Sequence, residues 1–360
     1  MAKRQRTPQT RDRFSAGRRH RLGSARAVKV LAAAAFVAMM AAGCSTASSN
    51  NQSSTQSKQL VTVSFGVPGD SSSWGFLYIA QQVGYFKQND ISAKVETVSV
   101  PTIVPGIISG SFQATPLTGT VETAALKGEP LVDVMTVENR DDAGLGVDSG
   151  INNVSQLAGK TVVTASAGTA PYKTLVALLK KHGLSTTQVK ILPLATVPEQ
   201  VNGFVSGQGQ AIFLTYNNVL QATTKVPGSK VIVTPLQAGP VGGFSGVAVS
   251  KSYLQQHAKV VSDIVKSILE AVKFVRTHKA STEKIFENVF GLTKTQASTM
   301  YSDANQIYQL SPVPTTTELA NDAKASSQAG SAVTESQIAA IWDTSIASQA
   351  FKQLNCPAVC

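Results

Sequence analysis

The sequence contains few of the residues that covalent or metal chemistry needs. Its 360 residues include three cysteines and four histidines, and only 15% of all residues are charged. His182, His257 and His278 stand singly, and no zinc-peptidase, nucleophile-elbow or dinucleotide-binding pattern is present. The sequence therefore predicts a protein with no metal site, no cofactor and no enzyme activity.

The chain also has little excess charge outside its N-terminus. A net charge of +11 would by itself suggest a nucleic acid or an anionic membrane as partner. Residues 1–43 hold ten Lys or Arg and one Asp, whereas residues 44–360 hold 22 Lys or Arg and 20 Asp or Glu. The body of the protein is close to neutral, so we expect no nucleic-acid partner.

No apolar run is long enough to cross a bilayer. The apolar segment 30–43 covers about 14 residues, and a spanning helix needs roughly 20. A basic stretch precedes it and Ala-Gly-Cys ends it, which is typical of a secretory signal and resembles a bacterial lipoprotein signal. We expect residues 1–43 to be a signal peptide, Cys44 to be lipidated and residues 44–59 to form a flexible polar tether. A transmembrane anchor is the alternative, and Arg18-Arg19 leaves the export route open between the general and twin-arginine pathways.

The two remaining cysteines form an even pair near the C-terminus. Cys356 and Cys360 are separated by Pro-Ala-Val, and no histidine lies nearby. In an oxidising compartment this spacing could close a small disulfide loop, and free thiols are the alternative.

Strand-like and helix-like segments alternate from residue 60 onward. This order predicts an α/β protein with mostly parallel sheets, followed by a helical C-terminal third. The pattern predicts a short buried strand over 114–118, a long amphipathic core helix over 257–278 and a single helix over 334–351.

Four short motifs, taken in order, resemble those of a known family. They are Tyr78-Ile79-Ala80-Gln81-Gln82-Val83-Gly84-Tyr85-Phe86, Ile107-Ile108-Ser109-Gly110-Ser111-Phe112-Gln113, Leu157-Ala158-Gly159-Lys160-Thr161-Val162 and Gly207-Gln208-Gly209-Gln210-Ala211. The resemblance is to the sulfonate-, taurine- and nitrate-type solute-binding proteins of ABC importers, a group that includes binders of thiamine pyrimidine precursors. Gln113 and Gln210 replace the aspartates of the family motifs, so the known ligands do not transfer directly.

The resemblance implies a type II periplasmic-binding-protein-like fold with two lobes. Residues 60–140 and 239–360 would form lobe 1, and residues 141–238 would form lobe 2. The implied protein is a lipid-anchored monomer on the extracytoplasmic face of the cell membrane. It would capture a small-molecule ligand by hinge closure, with hinges near 137–145 and 235–244, and deliver it to an ABC permease. A secreted enzyme of the same fold and a sensor for a membrane signalling partner are the alternatives.

Ligands of open α/β sheets bind at the loops that follow strand ends, which selects the candidate site residues. The candidates are Trp74, Thr118, Gly119, Thr120, Gly168, Thr169, Tyr216, Asn217 and Phe244. Each has a structural alternative: a tryptophan that covers the core, ordinary helix caps and turns, or a solvated loop at 215–218. None of these loops contains Lys or Arg. An anionic ligand would therefore rely on helix termini and hydroxyls, and an uncharged or aromatic ligand is equally compatible.

Overall fold

A computed structural model describes residues 59–354, apart from residues 240, 329 and 331 and the side chains of residues 241–244. The predicted signal peptide, the lipidation site Cys44, most of the tether and the cysteine pair Cys356 and Cys360 lie outside the described residues. The same holds for the side chain of Phe244. Among the helices that the structure describes, none has the length and apolar character of a membrane span.

The chain forms two groups of strands and helices, one inserted into the other. The flanking lobe (residues 59–140 and 241–354) contains β1 (Val61–Val67), α1 (Gly75–Val83), α2 (Tyr85–Gln88), β2 (Ile91–Thr97), α3 (Val100–Ser109), α4 (Thr118–Ala125), β3 (Leu131–Arg140), β9 (Val241–Ser250), α9 (Lys251–Gln256), α10 (Ala258–Thr277), α11 (Lys279–Phe290), α12 (Lys294–Ile307), α13 (Thr316–Gln328), α14 (Glu335–Ala339) and α15 (Ser345–Gln353). The inserted lobe (residues 143–238) contains β4 (Ala143–Val147), β5 (Thr161–Ala165), α5 (Ala170–Lys181), β6 (Lys190–Leu194), α6 (Val197–Val205), β7 (Ala211–Thr215), α7 (Tyr216–Lys225), β8 (Lys230–Val233) and α8 (Pro235–Ala238). The predicted boundaries at 140/141 and 238/239 stay predictions.

The flanking lobe is built on two strand pairs and a helical cover. β1 pairs with β2 in parallel, and β3 pairs with β9 antiparallel. The long amphipathic helix predicted from the sequence is α10, and its apolar stripe from Val261 to Val275 is fully buried in the core of this lobe. Helix α1 ends at Gly84, whose φ of 92° is the left-handed conformation that glycine adopts without strain.

The inserted lobe carries a five-stranded sheet in the order β6-β5-β7-β4-β8. β5 is parallel to β6 and β7, whereas β4 is antiparallel to both β7 and β8. Four of the five strands therefore point in one direction. This arrangement, with its helices and the helical C-terminal region, confirms the predicted α/β class with mostly parallel strands.

Two local predictions are wrong. Residues 114–118 do not form a strand, because only the isolated bridges Phe65–Ala114 and Thr115–Ala248 occur there and Thr118 already begins α4. The single helix predicted over 334–351 is divided into α14 and α15. The chain between them turns aside to bond to both sides of Asp133 in β3: the Asp133 N–H donates to Ile341 O (3.1 Å), and the Asp343 N–H donates to Asp133 O (2.9 Å).

Candidate functional site

A small cavity lies between the two lobes. Its volume is about 50 Å³, and it is lined by residues from both lobes: Pro68, Ser73, Trp74, Val100, Pro116, Leu117, Gly119, Thr120, Asp141, Ala165, Thr169, Ala170, Pro171, Val197, Gln200, Leu214, Thr215 and Ser245. The walls are mostly apolar, with a few polar side chains. Such a lining is typical of small-molecule binding sites.

Two helices begin at this cavity, one from each lobe. Gly119 in the first turn of α4 comes so close to Ala170 at the start of α5 that a Cβ on Gly119 would lie 3.6 Å from Ala170 Cβ. The Thr123 hydroxyl donates to Gly168 O at 2.9 Å. Both helix N-termini thus border one space, where backbone N–H groups and the positive dipole ends favour an acceptor group.

A buried ion pair joins the same two helices. Lys173 Nζ on α5 lies 3.8 Å from Glu122 Oε2 on α4, and it also donates to Gly119 O at 3.4 Å. The side chains are 4% and 1% exposed. Burial nevertheless raises the pKa of Glu122, because desolvation outweighs the attraction of Lys173 at this separation. The pair is a charged contact between the lobes.

Trp74 and its neighbours form one wall of the cavity. The Trp74 indole N–H donates to Gly69 O at 3.1 Å, and the Ser245 hydroxyl donates to Ser73 O at 2.6 Å. These bonds fix the turn before α1. The Ser73 hydroxyl itself is buried and has no protein partner.

Asp141 is the most unusual residue of the cavity. It lies in the two-residue connection between β3 and β4, where the chain passes from the flanking to the inserted lobe, and it is 3% exposed. Its Oδ2 atom has no hydrogen-bond partner. Burial raises the pKa of Asp141 from its ordinary 3.8 to about 7. A carboxylate in this state is available to accept a hydrogen bond from a ligand.

Gln200 presents a second unused acceptor. Its Nε2 donates to Leu194 O at 2.8 Å, a bond that only the amide nitrogen can make. Its Oε1 has no partner, although the side chain is 1% exposed. Buried acceptors of this kind are rare in folded proteins, so each calls for a physical reason.

Further buried acids surround Asp141. Burial raises the pKa values of Glu138 and Asp142 well above their ordinary values, and the charge of Asp141 raises both further. Burial raises the pKa of Asp303 to about 6. The ion pairs of the described residues include none of these carboxylates. Arg140, their neighbour in the chain, points its guanidinium at Leu236 O (3.4 Å).

The structure brings four of the nine candidate residues together. Trp74, Gly119, Thr120 and Thr169 line the cavity. Thr118 is fully buried beside them but does not line it. Gly168, with a φ of 89°, forms the turn before α5 and accepts the hydrogen bond from Thr123. The assignment of any of these residues to a ligand stays a prediction.

The prediction of a loop at 215–218 is wrong, because Thr215 ends β7 and caps α7, which begins at Tyr216. Tyr216 is 4% exposed and packs over Gly144 of β4. Asn217 Oδ1 accepts from the N–H of Ser72 (3.0 Å) and lies within 3.0 Å of its hydroxyl. Neither residue lines the cavity between the lobes.

The two cavity residues with unpartnered acceptors, Asp141 and Gln200, were not among the candidates. Asp141 lies in a stretch, Arg140-Asp141-Asp142, that the sequence gives no reason to bury, and Gln200 lies on the inner side of α6. The one available signal was the position of Asp141 in the predicted hinge. Within the part of the chain that the structure describes, no group of three or more His, Cys, Asp or Glu is placed to hold a metal ion.

Comparisons with known proteins concern most of this chain. Residues 72–281 match the family model described as NMT1/THI5 like, and no curated protein matches the chain by sequence. The alkanesulfonate-binding protein SsuA from Xanthomonas axonopodis pv. citri, solved with MOPS, is 16% identical with a TM-score of 0.62, over 79% of this chain and 98% of that one. The periplasmic nitrate-binding protein NrtA from Synechocystis PCC 6803 is 11% identical with a TM-score of 0.64, over 83% and 90%.

A structure from Bordetella bronchiseptica RB50 is 17% identical, with a TM-score of 0.69 over 83% of this chain and 99% of that one. At these identities the likeness concerns the fold, and it confirms the predicted two-lobe periplasmic-binding-protein architecture.

Proposed function

We propose that this chain, which belongs to the NMT1/THI5-like family, is the solute-binding component of an ABC importer. The named structural relatives are binding proteins for an alkanesulfonate and for nitrate, which supports the general role. The finer features of the proposal are a lipid anchor at Cys44, an extracytoplasmic position at the cell membrane, a monomeric state and capture of a small solute by hinge closure.

The observation that carries the proposal is that both lobes contribute residues to the walls of the cavity. Trp74, Gly119 and Thr120 come from the flanking lobe, whereas Thr169, Gln200 and others come from the inserted lobe. A solute held there would contact both lobes at once. Because such contacts exist only when the lobes are together, binding would favour the closed arrangement.

The two connections between the lobes are the proposed hinges. One is residues 141–142, between β3 and β4, and the other follows α8, which ends at Ala238. They fall in the predicted hinge regions 137–145 and 235–244. The Thr123–Gly168 hydrogen bond and the Lys173–Glu122 ion pair would form on closure and break on opening.

A binder is favoured over an enzyme by the residues at the cavity. Among the described residues that line it, Asp141 is the only ionisable side chain, and it is bonded to none of the lining hydroxyls. Thr169 donates to Ser166 O (2.7 Å), Ser245 donates to Ser73 O (2.6 Å), and the Ser73 hydroxyl has no partner. Nucleophilic catalysis needs a base within hydrogen-bond reach of the hydroxyl. We therefore propose retention of the solute rather than turnover.

Native mass spectrometry of the full-length protein in mild detergent tests this proposal. We expect a bound small molecule that denaturation releases unchanged. Gly119→Phe should abolish this bound mass, because the added ring would separate the starts of α4 and α5. Gly150→Phe is the matched control: Gly150 is exposed, and nothing lies within 4 Å of a Cβ placed there. Equal solute retention by both variants would contradict binding between the lobes.

A further inference from the structure

We propose that the solute bound in this cavity presents N–H donors to Asp141 and Gln200 and carries no net negative charge. This inference rests on the proposed function, because it specifies the chemical class of the solute. The class comprises small amines, amides, amidines and N–H heterocycles that are neutral or cationic at neutral pH.

The first support is the pair of unused acceptors. Asp141 Oδ2 and Gln200 Oε1 are both buried, both belong to cavity-lining residues and both lack a hydrogen-bond partner. An ionised carboxylate oxygen, the form of Asp141 above its pKa of about 7, and an amide oxygen can only accept, and the nitrogen of Gln200 is already bonded to Leu194 O. The complementary ligand group is therefore a donor. The Ser73 hydroxyl, also unpartnered, can serve either role.

The second support is the sign of the charge around the cavity. Glu138 and Asp142 lie close enough to Asp141 for its charge to raise their pKa values, and Asp303 acts on Asp142 in the same way. No Lys, Arg or His is among the described residues that line the cavity. Raised pKa values favour the neutral form of Glu138 and Asp142, so the charge at the cavity is that of Asp141 above its pKa of about 7. A sulfonate or nitrate ion would then lie beside a buried carboxylate without a cation, which disfavours binding.

A buried cation at the lobe contact, Lys173, does not change this conclusion. Lys173 is 4% exposed, and its Nζ is directed at Glu122 Oε2 (3.8 Å) and Gly119 O (3.4 Å). The charge of Lys173 is thus directed at the Glu122 carboxylate on the opposite lobe and not into the cavity. The starts of α4 and α5 can still hold an acceptor atom of the solute, so an oxygen at one end and N–H groups at the other fit the cavity together.

The volume of the cavity limits the size of the probes. About 50 Å³ suits compact molecules, and guanidinium, urea and nitrate form a matched set because all three are planar, trigonal and of similar size. Guanidinium and urea offer N–H donors, whereas nitrate only accepts. Ethanesulfonate adds an anion without N–H donors.

Isothermal titration calorimetry of these four probes is performed on the full-length protein, stripped of bound solute, at pH 8. At this pH Asp141, with a pKa of about 7, is mainly ionised. We expect guanidinium or urea to bind at least about tenfold more tightly than nitrate and ethanesulfonate. The solute that co-purifies, identified by mass spectrometry, should contain N–H groups.

Two variants test the residue assignment. Asp141→Asn should weaken guanidinium and the co-purified solute by about tenfold or more, because it replaces an ionised acceptor. Asp148→Asn, which changes a half-buried carboxylate of the inserted lobe outside the cavity lining, should change affinity less than about threefold.

The outcomes separate this inference from the proposed function. A co-purified solute without N–H groups, tighter binding of nitrate or ethanesulfonate, or an Asp141→Asn variant of unchanged affinity would each overturn the inference while leaving a solute-binding protein. Absence of any co-purified solute together with no binding of any probe would overturn the proposed function, and the inference with it.

Discussion

Asp141→Asn should stabilise the solute-free protein at neutral and higher pH. The substitution keeps the shape of the side chain and removes a carboxylate that is 3% exposed and has no partner for Oδ2. A residue retained for binding often lowers the stability of the empty protein, because its polar groups are satisfied only by the ligand. The pH dependence of the effect provides the sharpest test.

The magnitude follows from the pKa of Asp141, which burial raises from 3.8 to about 7. Between these values the folded protein binds a proton that the unfolded chain has already released. The contribution of Asp141 to stability is therefore fully present below pH 4 and is lost as the pH rises to 7. The slope approaches about 1.4 kcal/mol per pH unit and falls near pH 7, where Asp141 is half ionised, so the advantage of Asp141→Asn should grow by about 2 kcal/mol between pH 5 and pH 7.

Differential scanning calorimetry at pH 5, 6 and 7 measures this difference on protein prepared without solute and without urea, which is itself a proposed ligand of the cavity. Subtracting the wild-type free energy of unfolding from that of the variant removes most of the contribution of the other buried acids, Glu138, Asp142 and Asp303. Gln200→Leu is the control, because it changes a cavity residue that does not titrate and should give a difference independent of pH. A difference for Asp141→Asn that changes by less than about 0.5 kcal/mol over this range would refute the reasoning.

Three further predictions concern the lobe contacts and the anchor. Asn217→Ala should lower the free energy of unfolding by about 1–3 kcal/mol, because it leaves the buried N–H of Ser72 without its acceptor; an unchanged urea midpoint would contradict the contact. Gly168→Ala should destabilise by about 1 kcal/mol or more, because its φ is 89° and a Cβ would lie 3.1 Å from Thr123, whereas Gly119→Ala meets only ordinary contacts; equal melting temperatures would be inconsistent with this difference. Cys44→Ser should abolish metabolic labelling with palmitate and release the protein from the membrane fraction, and persistent labelling would exclude Cys44 as the lipidation site.

Periodic segments could be predicted from the sequence because local pattern and burial agree in them. The stripe from Val261 to Val275 recurs every three or four residues, and it is the buried face of α10. Gly84 and Gly183 follow α1 and α5, and both have the positive φ angles that glycines adopt after helices. In these segments the side-chain period and the glycine conformation suffice, without knowledge of the tertiary contacts.

Strand β4 could not be predicted, because its glycines allow close packing against a helix but do not favour strand formation. It reads Ala-Gly-Leu-Gly-Val, and glycine is unfavourable in strands. A Cβ on Gly144 would lie 2.9 Å from the Tyr216 ring, and a Cβ on Gly146 would lie 2.8 Å from Thr223. Helix α7 thus packs directly on the backbone of β4. The error at 215–218 has the same origin, since polar Tyr216 and Asn217 begin a helix whose burial is a tertiary property.

The sequence did not identify Asp141 as a site residue, because its role depends on burial without a cationic partner. Two adjacent aspartates after an arginine usually indicate a solvated loop. Only the fold reveals that Asp141 is buried and that Arg140 is directed elsewhere, to Leu236 O. Neighbouring residues in sequence cannot show whether a carboxylate is paired, because its partners come from distant elements.

The two buried acids at the lobe contact differ in a way that bears on transport. Glu122 has a cation within 3.8 Å on the opposite lobe, so closure itself compensates its charge. Asp141 has no such partner on either lobe among the described residues, and above its pKa an empty closed protein would hold an isolated buried charge. A solute with N–H donors would offset the free-energy cost of this buried charge, and it would do so only in the closed arrangement. The proposed solute would therefore shift the equilibrium toward closure more strongly than an apolar molecule of equal size, which would let a permease distinguish the loaded protein from the empty one.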